Sequence, residues 1–211
     1  KPKRSDLSSR NQVDLTRTFK FKHSQQTWTG IPIMTSNMTT TGTFEMYKVL
    51  AEQKMITVFH KFYTLDDFQQ FQVSLTEEGM SLNKNYYSLS TGINQADYQK
   101  LQQLIRYLDP LFITIDVANG YSNKFVDFCL QVRKEYPKLV IIAGNVATSD
   151  MVQELLISSQ VDIVKCGIGS GSVCSTRLKT GVGVPQLSVC LNCSETANGL
   201  NGHMVSDGGC T

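Results

Sequence analysis

The 211-residue sequence predicts an α/β fold with a parallel sheet closing toward a barrel, and three observations predict it. Short β-rich runs alternate with longer segments of helical period. The runs recur roughly every 25–30 residues, with apolar interiors and no hairpin turn between them, which is the βα rhythm of a helix-covered parallel sheet. Polar residues close nearly every run: Asn37, His60 and Lys61, Thr91, Asp116, Asn145, Gly167 and Asp207. Barrels collect their active sites on that C-terminal rim, so a (β/α)8 TIM barrel is favoured over a doubly wound open sheet.

In chain order, strands are predicted at 31–35, 56–60, 86–90, 112–116, 140–145, 163–166 and 203–207. Helices are predicted near 43–53, 65–72, 95–107, 122–136, 148–159 and 186–198. The fourth helix is the clearest, because Phe125, Phe128, Cys129, Val132 and Tyr136 fall on one apolar stripe. Ser122 or Asn123 can cap its start and Pro137 closes its end; Thr148-Ser149-Asp150 opens the next helix in the same manner. Trp28, Phe19 and Phe21 read as packing of an N-terminal segment. Seven strands make about seven of the eight βα units, in one catalytic domain over residues 1–211 that is expected to stop before its last strand. The lack of an initiator Met and the ending at Thr211 suggest a chain cut at both ends.

Composition narrows the function classes. The hydrophobic fraction of 41% supports a sizeable core and excludes overall disorder. A net charge of +2 is too weak to imply nucleic acid or an anionic membrane as partner. No apolar run approaches the roughly 20 residues of a membrane span, and the basic start has no apolar segment after it, so a cytoplasmic protein is expected. Six cysteines in a chain this long do not make a disulfide-stapled mini-domain. Cys190 and Cys193 form a lone CxxC with no second pair and no nearby His, a poor zinc site.

The strand spacing breaks once. From Ile163 to His203 the interval is far longer than elsewhere, and the excess is the glycine-rich stretch 167–183. It lacks the Gly-Lys-Ser/Thr of a phosphate-binding P-loop, and as a dinucleotide fingerprint it fails because it runs into a cysteine-containing loop. Cys174 sits there with Arg177 and Lys179 close in sequence, a setting that favours a thiolate nucleophile. The Thr176 hydroxyl is placed to relay a proton. A free loop cysteine is the competing interpretation.

The stretch 164–176, VKCGIGSGSVCST, resembles the active-site signature of the IMP dehydrogenase/GMP reductase family. The continuation 176–187, TRLKTGVGVPQL, and the segment 116–121, DVANGY, resemble its reductase branch. The likeness runs over essentially the whole chain, with no room for the cystathionine-synthase-type regulatory insert of many dehydrogenases. It implies a TIM barrel that reduces GMP to IMP with NADPH and releases ammonia, assembled as a homotetramer. Cys174 would be the nucleophile and Thr176 the proton-transfer residue. Ser172, Asp207, Gly208 and Gly209 would hold the nucleotide. Ser9, Arg10, Lys61, Asp116, Val117, Ala118, Ile168 and Gly169 would contact NADPH. Gly169, Gly171, Cys174 and Arg177 would form a monovalent-cation (K+) site. The sequence departs from the family pattern at Thr39, where Asp is usual, at Ser170, where reductases carry Pro, at Phe62, where His is common, and at Val184, where Tyr is common. An IMP dehydrogenase-like oxidoreductase and a non-catalytic purine-nucleotide-binding paralogue are the alternatives.

Overall fold

The computed structural model describes residues 4–209. After a 3-10 turn at Arg10–Gln12, the chain forms an antiparallel hairpin of β1 (Arg17–Lys20) and β2 (Thr27–Gly30). It then alternates: α1 (Phe44–Glu52), β3 (Thr57–Phe59), α2 (Leu65–Glu77), β4 (Tyr87–Thr91), α3 (Gln95–Leu108), β5 (Phe112–Asp116), α4 (Asn123–Glu135), β6 (Val140–Val146), α5 (Ser149–Ile157) and β7 (Ile163–Cys166). A short α6 (Thr176–Thr180), α7 (Gln186–Gly199) and β8 (His203–Ser206) complete it. Strands β3 to β8 lie in sequence order in one wholly parallel sheet that curls as an incomplete barrel, as the βα rhythm predicts.

Alternation along each strand separates two cores. Ile113, Ile115, Ile141, Ala143, Val164 and Cys166 face outward into the layer shared with the helices. Phe112, Val140, Ile142 and Ile163 pack together on the inner side with Val58. In the same inward register stand Thr114 and Asp116 on β5, Gly144 on β6 and Lys165 on β7. Ser88 and Thr114 share a 2.8 Å hydroxyl hydrogen bond inside the sheet, which satisfies two buried polar groups at once.

Helix starts follow the local sequence. Ser122 Oγ accepts from the Phe125 amide at 3.3 Å, and Phe125, Cys129 and Val132 are buried as the stripe predicts. Thr64 and Asp67 form a reciprocal capping box at α2, which runs past its expected end because Leu75 continues the buried face of Phe68 and Phe71. Thr148 occupies the capping position of α5 without bonding its amides; its hydroxyl lies 3.1 Å from the Tyr121 hydroxyl instead.

Two expectations are corrected. The sequence does contain a hairpin, β1–β2, whose Phe21 and Trp28 pack edge-on against Phe112 at the N-terminal end of the sheet. The predicted strand 31–35 contracts to a single parallel bridge between Met34 and Ile56. Pro32 has no amide hydrogen to donate within this run, which weakens a regular ladder. Among the described residues no helix is long and apolar enough to cross a membrane.

Candidate active site

The inward-facing polar residues at the C-terminal strand ends converge on one ammonium. Lys165 Nζ lies 2.7 Å from Asp207 Oδ2, 3.0 Å from Asn145 Oδ1 and 3.4 Å from Asp116 Oδ1. Asn145 Nδ2 donates to the same Asp207 oxygen at 2.6 Å and to the Gly167 carbonyl at 2.7 Å. Asn37 Nδ2 donates to the other Asp116 oxygen at 2.7 Å. Asp207, Lys165 and Asn37 line a cavity in the barrel mouth with Val58, Thr114 and Ile142.

The long loop after β7 lies beside this mouth. Ser170 Oγ donates to the Asp207 carbonyl at 2.7 Å, a tie that a proline at this position could not make. Gly169 adopts φ +65, and a Cβ there would sit 2.8 Å from Arg177 Cγ, so the loop packs its arginine stem where only glycine fits. Cys174 Sγ lies 3.3 Å from Thr176 Oγ1. Hydrogen bonds from the Thr176 hydroxyl and amide, helped by the Arg177 charge, hold the Cys174 thiol below its ordinary pKa. Burial pushes Cys129, Cys166 and Cys193 the other way. Cys193 stands on the inner face of α7 beside Cys166, and the Cys190 thiol reaches Ser206 Oγ at 3.3 Å, so both CxxC thiols have local packing roles. Among the described residues no three His, Cys, Asp or Glu side chains are grouped as metal ligands.

The remaining expected site residues divide into two sets. Lys61 follows β3, Val117 and Ala118 follow β5, and Ile168 and Gly169 follow β7, all at C-terminal strand ends. Ser172 is exposed in the loop, and Gly208 and Gly209, with φ +68 and +66, turn the chain after β8. Ser9 and Arg10 lie apart on the exposed N-terminal turn: Ser9 Oγ caps it at the Asn11 amide, and the Arg10 guanidinium has no hydrogen bond or ion pair among the described residues.

The whole chain, residues 1–211, matches the family described as the IMP dehydrogenase / GMP reductase domain. The chain belongs to the IMP dehydrogenase/GMP reductase family. It is 50% identical over 212 aligned positions to a GMP reductase of Edwardsiella ictaluri and 49% identical to GMP reductase 1 of Homo sapiens. A Vibrio cholerae GMP reductase is likewise 49% identical. Each alignment covers 100% of this chain and 60% of the relative, so the chain spans about three-fifths of the length of these curated proteins.

Two groups that membership in the IMP dehydrogenase/GMP reductase family implies can be tested against the residues present. A phosphate-bearing dinucleotide fits the donor chemistry: Lys61 spends one of its three donors on Asp97 at 2.8 Å, and the Arg10 guanidinium has no partner among the described residues. For a monovalent cation, one of the expected ligands is already engaged in the loop as folded. The Gly171 carbonyl already accepts from the Cys174 amide at 3.1 Å and from Arg177 Nη2 at 3.3 Å, so both lone pairs are used and one neighbour is itself a cation.

Residue-by-residue reading missed Lys165 and treated Asn145 only as a strand-end residue. The signal was present in Ile163-Val164-Lys165-Cys166, where a lysine in a strand of apolar interior has the alternation that turns it inward.

Proposed function

We propose that the intact protein catalyses the NADPH-dependent reductive deamination of GMP to IMP, with Cys174 as covalent nucleophile. The observation that carries this reading is the Cys174–Thr176 pair. A thiol held toward its thiolate stands 3.3 Å from a hydroxyl on a glycine loop beside a carboxylate-lined mouth. Relatives of about half identity bear the name GMP reductase.

The Cys174 thiolate adds to C2 of the purine, forming the C–S bond while the electron pair moves onto the ring. Thr176 passes a proton to the 2-amino group, the C2–N bond breaks and ammonia departs, leaving a thioimidate on Cys174. NADPH, when bound, supplies the hydride that C2 receives. The C–S bond then breaks, IMP leaves and the thiolate is restored. At neutral pH the sum is GMP, NADPH and two protons giving IMP, NADP+ and ammonium.

Asp207, clamped through one oxygen by Lys165 and Asn145, offers its other oxygen to the ribose hydroxyls. Ser172, Gly208 and Gly209 complete the nucleotide cradle, with Gly208 and Gly209 supplying backbone amides. Lys61, Asp116, Val117, Ala118, Ile168 and Gly169 border the cofactor, and Ser9 and Arg10, on the separate N-terminal turn, are assigned to it by the family resemblance alone. The domain is read as a single catalytic unit of a cytoplasmic, self-associating enzyme. Exposed Val173 in the loop after β7, Leu178 on α6, and Leu187 and Leu191 on α7 give it apolar surface for assembly.

Full-length protein supplied with GMP and NADPH is expected to consume the cofactor and release ammonia, and with IMP and NAD+ to do neither. Cys174→Ala is expected to abolish turnover while changing GMP affinity by less than about tenfold, or ~1.4 kcal/mol. Phosphate and ribose contacts, not the thiol, dominate ground-state binding. Steady-state turnover retained in that variant would remove the covalent mechanism.

A further inference from the structure

Lys165 touches both carboxylates of the mouth. Its ammonium joins Asp207 at 2.7 Å and Asp116 at 3.4 Å, and its side chain is only 12% exposed. A lysine costs free energy in a partly buried strand position unless its charge is matched, and here three oxygens match it. The surrounding backbone is shaped to admit it. Its register partner Gly144 would, with a Cβ, come within 2.7 Å of the Lys165 Cβ and 2.2 Å of its carbonyl oxygen. Asn145, next along β6, adds a second donor to the Asp207 oxygen that Lys165 holds. On the far side, Asn37 fixes the remaining Asp116 oxygen. The result is one continuous chain, Asn37–Asp116–Lys165–Asp207–Asn145, across the loops after the Met34 bridge and the ends of β5, β6, β7 and β8.

We propose that Lys165 is a positioning residue that holds Asp207 toward the nucleotide and Asp116 toward the cofactor through a single ammonium, so that both ligands depend on it. The proposal rests on the GMP reductase reading, since that reading assigns the two carboxylates to different ligands. Neither carboxylate can rotate freely while Lys165 is charged and in place, because each would leave a partly buried cation short of a partner. Removing the ammonium frees both at once. A side chain that merely filled space in the barrel would not affect two separate ligands together.

The test uses the full-length protein, as wild type and as Lys165→Met, Lys165→Arg and Asp116→Asn. GMP affinity is measured by calorimetry without cofactor, the KM for NADPH by steady-state assay, and folding by circular dichroism and thermal melting. A folded Lys165→Met is expected to bind GMP at least tenfold more weakly and to raise the NADPH KM at least fivefold. Lys165→Arg is expected to recover part of both, because charge is restored. A folded Lys165→Met that alters neither ligand, or only one, would overturn the proposal. Should Lys165→Met not fold, Asp116→Asn decides. An altered GMP affinity of threefold or more supports the link through Lys165, and an unchanged affinity overturns it. Wild-type protein that binds neither GMP nor NADPH would overturn the functional reading itself, and the positioning role with it.

Discussion

Two residues within one turn of chain hold the Cys174 thiol below its ordinary pKa. The thiol is half-buried, and the Thr176 hydroxyl and amide supply the largest stabilisation of the thiolate, ahead of the opposing effect of burial and of the Arg177 charge. The prediction is that Thr176→Val raises the thiol pKa and slows alkylation of Cys174 by iodoacetamide between pH 7 and 8. The buried Cys129, Cys166 and Cys193 are expected to label far more slowly in both proteins, and GMP is expected to protect Cys174. Peptide mapping by mass spectrometry that found equal Cys174 labelling in both proteins would contradict the Thr176 role. This much was legible in the sequence, because a nucleophile, a neighbouring hydroxyl and a cation on a glycine loop are local features. Lys165 was not, since its partners Asp116 and Asp207 stand 49 and 42 residues away and only strand register brings them together.

Elements show the same division. Strands β5 and β7 match their expected bounds because short apolar runs with β-branched residues leave little ambiguity. The β1–β2 hairpin escaped because its faces are mostly exposed and its signal is tertiary: Phe21 and Trp28 find their partner, Phe112, only across the sheet. What latches that hairpin is also invisible in sequence. The His23 and Ser24 amides both donate to Asp162 Oδ1 at 3.1 Å, while Asp162 Oδ2 takes Arg133 Nη2 at 2.5 Å and the Ile141 amide at 3.2 Å. Both side chains of this ion pair are buried, at 0% and 5% exposure. Asp162→Ala strands the Arg133 charge and is expected to cost about 3–5 kcal/mol in denaturant unfolding. The hairpin should also respond to pH. Burial holds His23 below its ordinary pKa, outweighing the attraction of Asp162, with Arg133 and Lys22 acting in the same direction. The unfolded chain therefore takes up the proton first, so this contribution to stability is complete above the ordinary histidine range near ~6.5 and is lost as pH falls through it. His60, also depressed by burial, adds to the same slope. The melting temperature is expected to fall from pH 7.5 to 5.5, less steeply in His23→Gln and least in a His23→Gln/His60→Gln double variant. A slope unchanged by both substitutions would assign the effect elsewhere.

At the scale of the molecule, the sheet stops short of closure. The outer edge of β3 is covered by the preceding segment: the Ile56 amide donates to the Ile33 carbonyl, the Val58 amide to Thr35 Oγ1 and the His60 amide to the Gly42 carbonyl, whereas among the described residues no strand pairs with the far side of β8. Unpaired edges offer rows of donors and acceptors to any other chain, and barrels avoid this by closing. The mouth residues compound the problem, because Lys165 and Asp207 hold the C-terminal side of the sheet around a cavity whose wall includes the open strand β8. Inner-face Val205 and Ile163, with Trp28 from the hairpin, also line an apolar hollow that spans the gap at the opposite end. A polypeptide of these 211 residues by themselves is therefore expected to self-associate through its open β8 edge and to unfold with poor cooperativity. It is also expected to reduce no GMP, even with Cys174 and Thr176 in place. Light scattering on a dilution series, a urea titration followed by tryptophan fluorescence from Trp28, and an NADPH-oxidation assay measure the three expectations separately. Association that disappears when Lys is placed along the β8 edge would locate the contact there, since edge charges oppose strand pairing. A soluble monomer that unfolds in one sharp transition and reduces GMP would show that six parallel strands suffice, and that the open β8 edge limits neither the fold nor the chemistry.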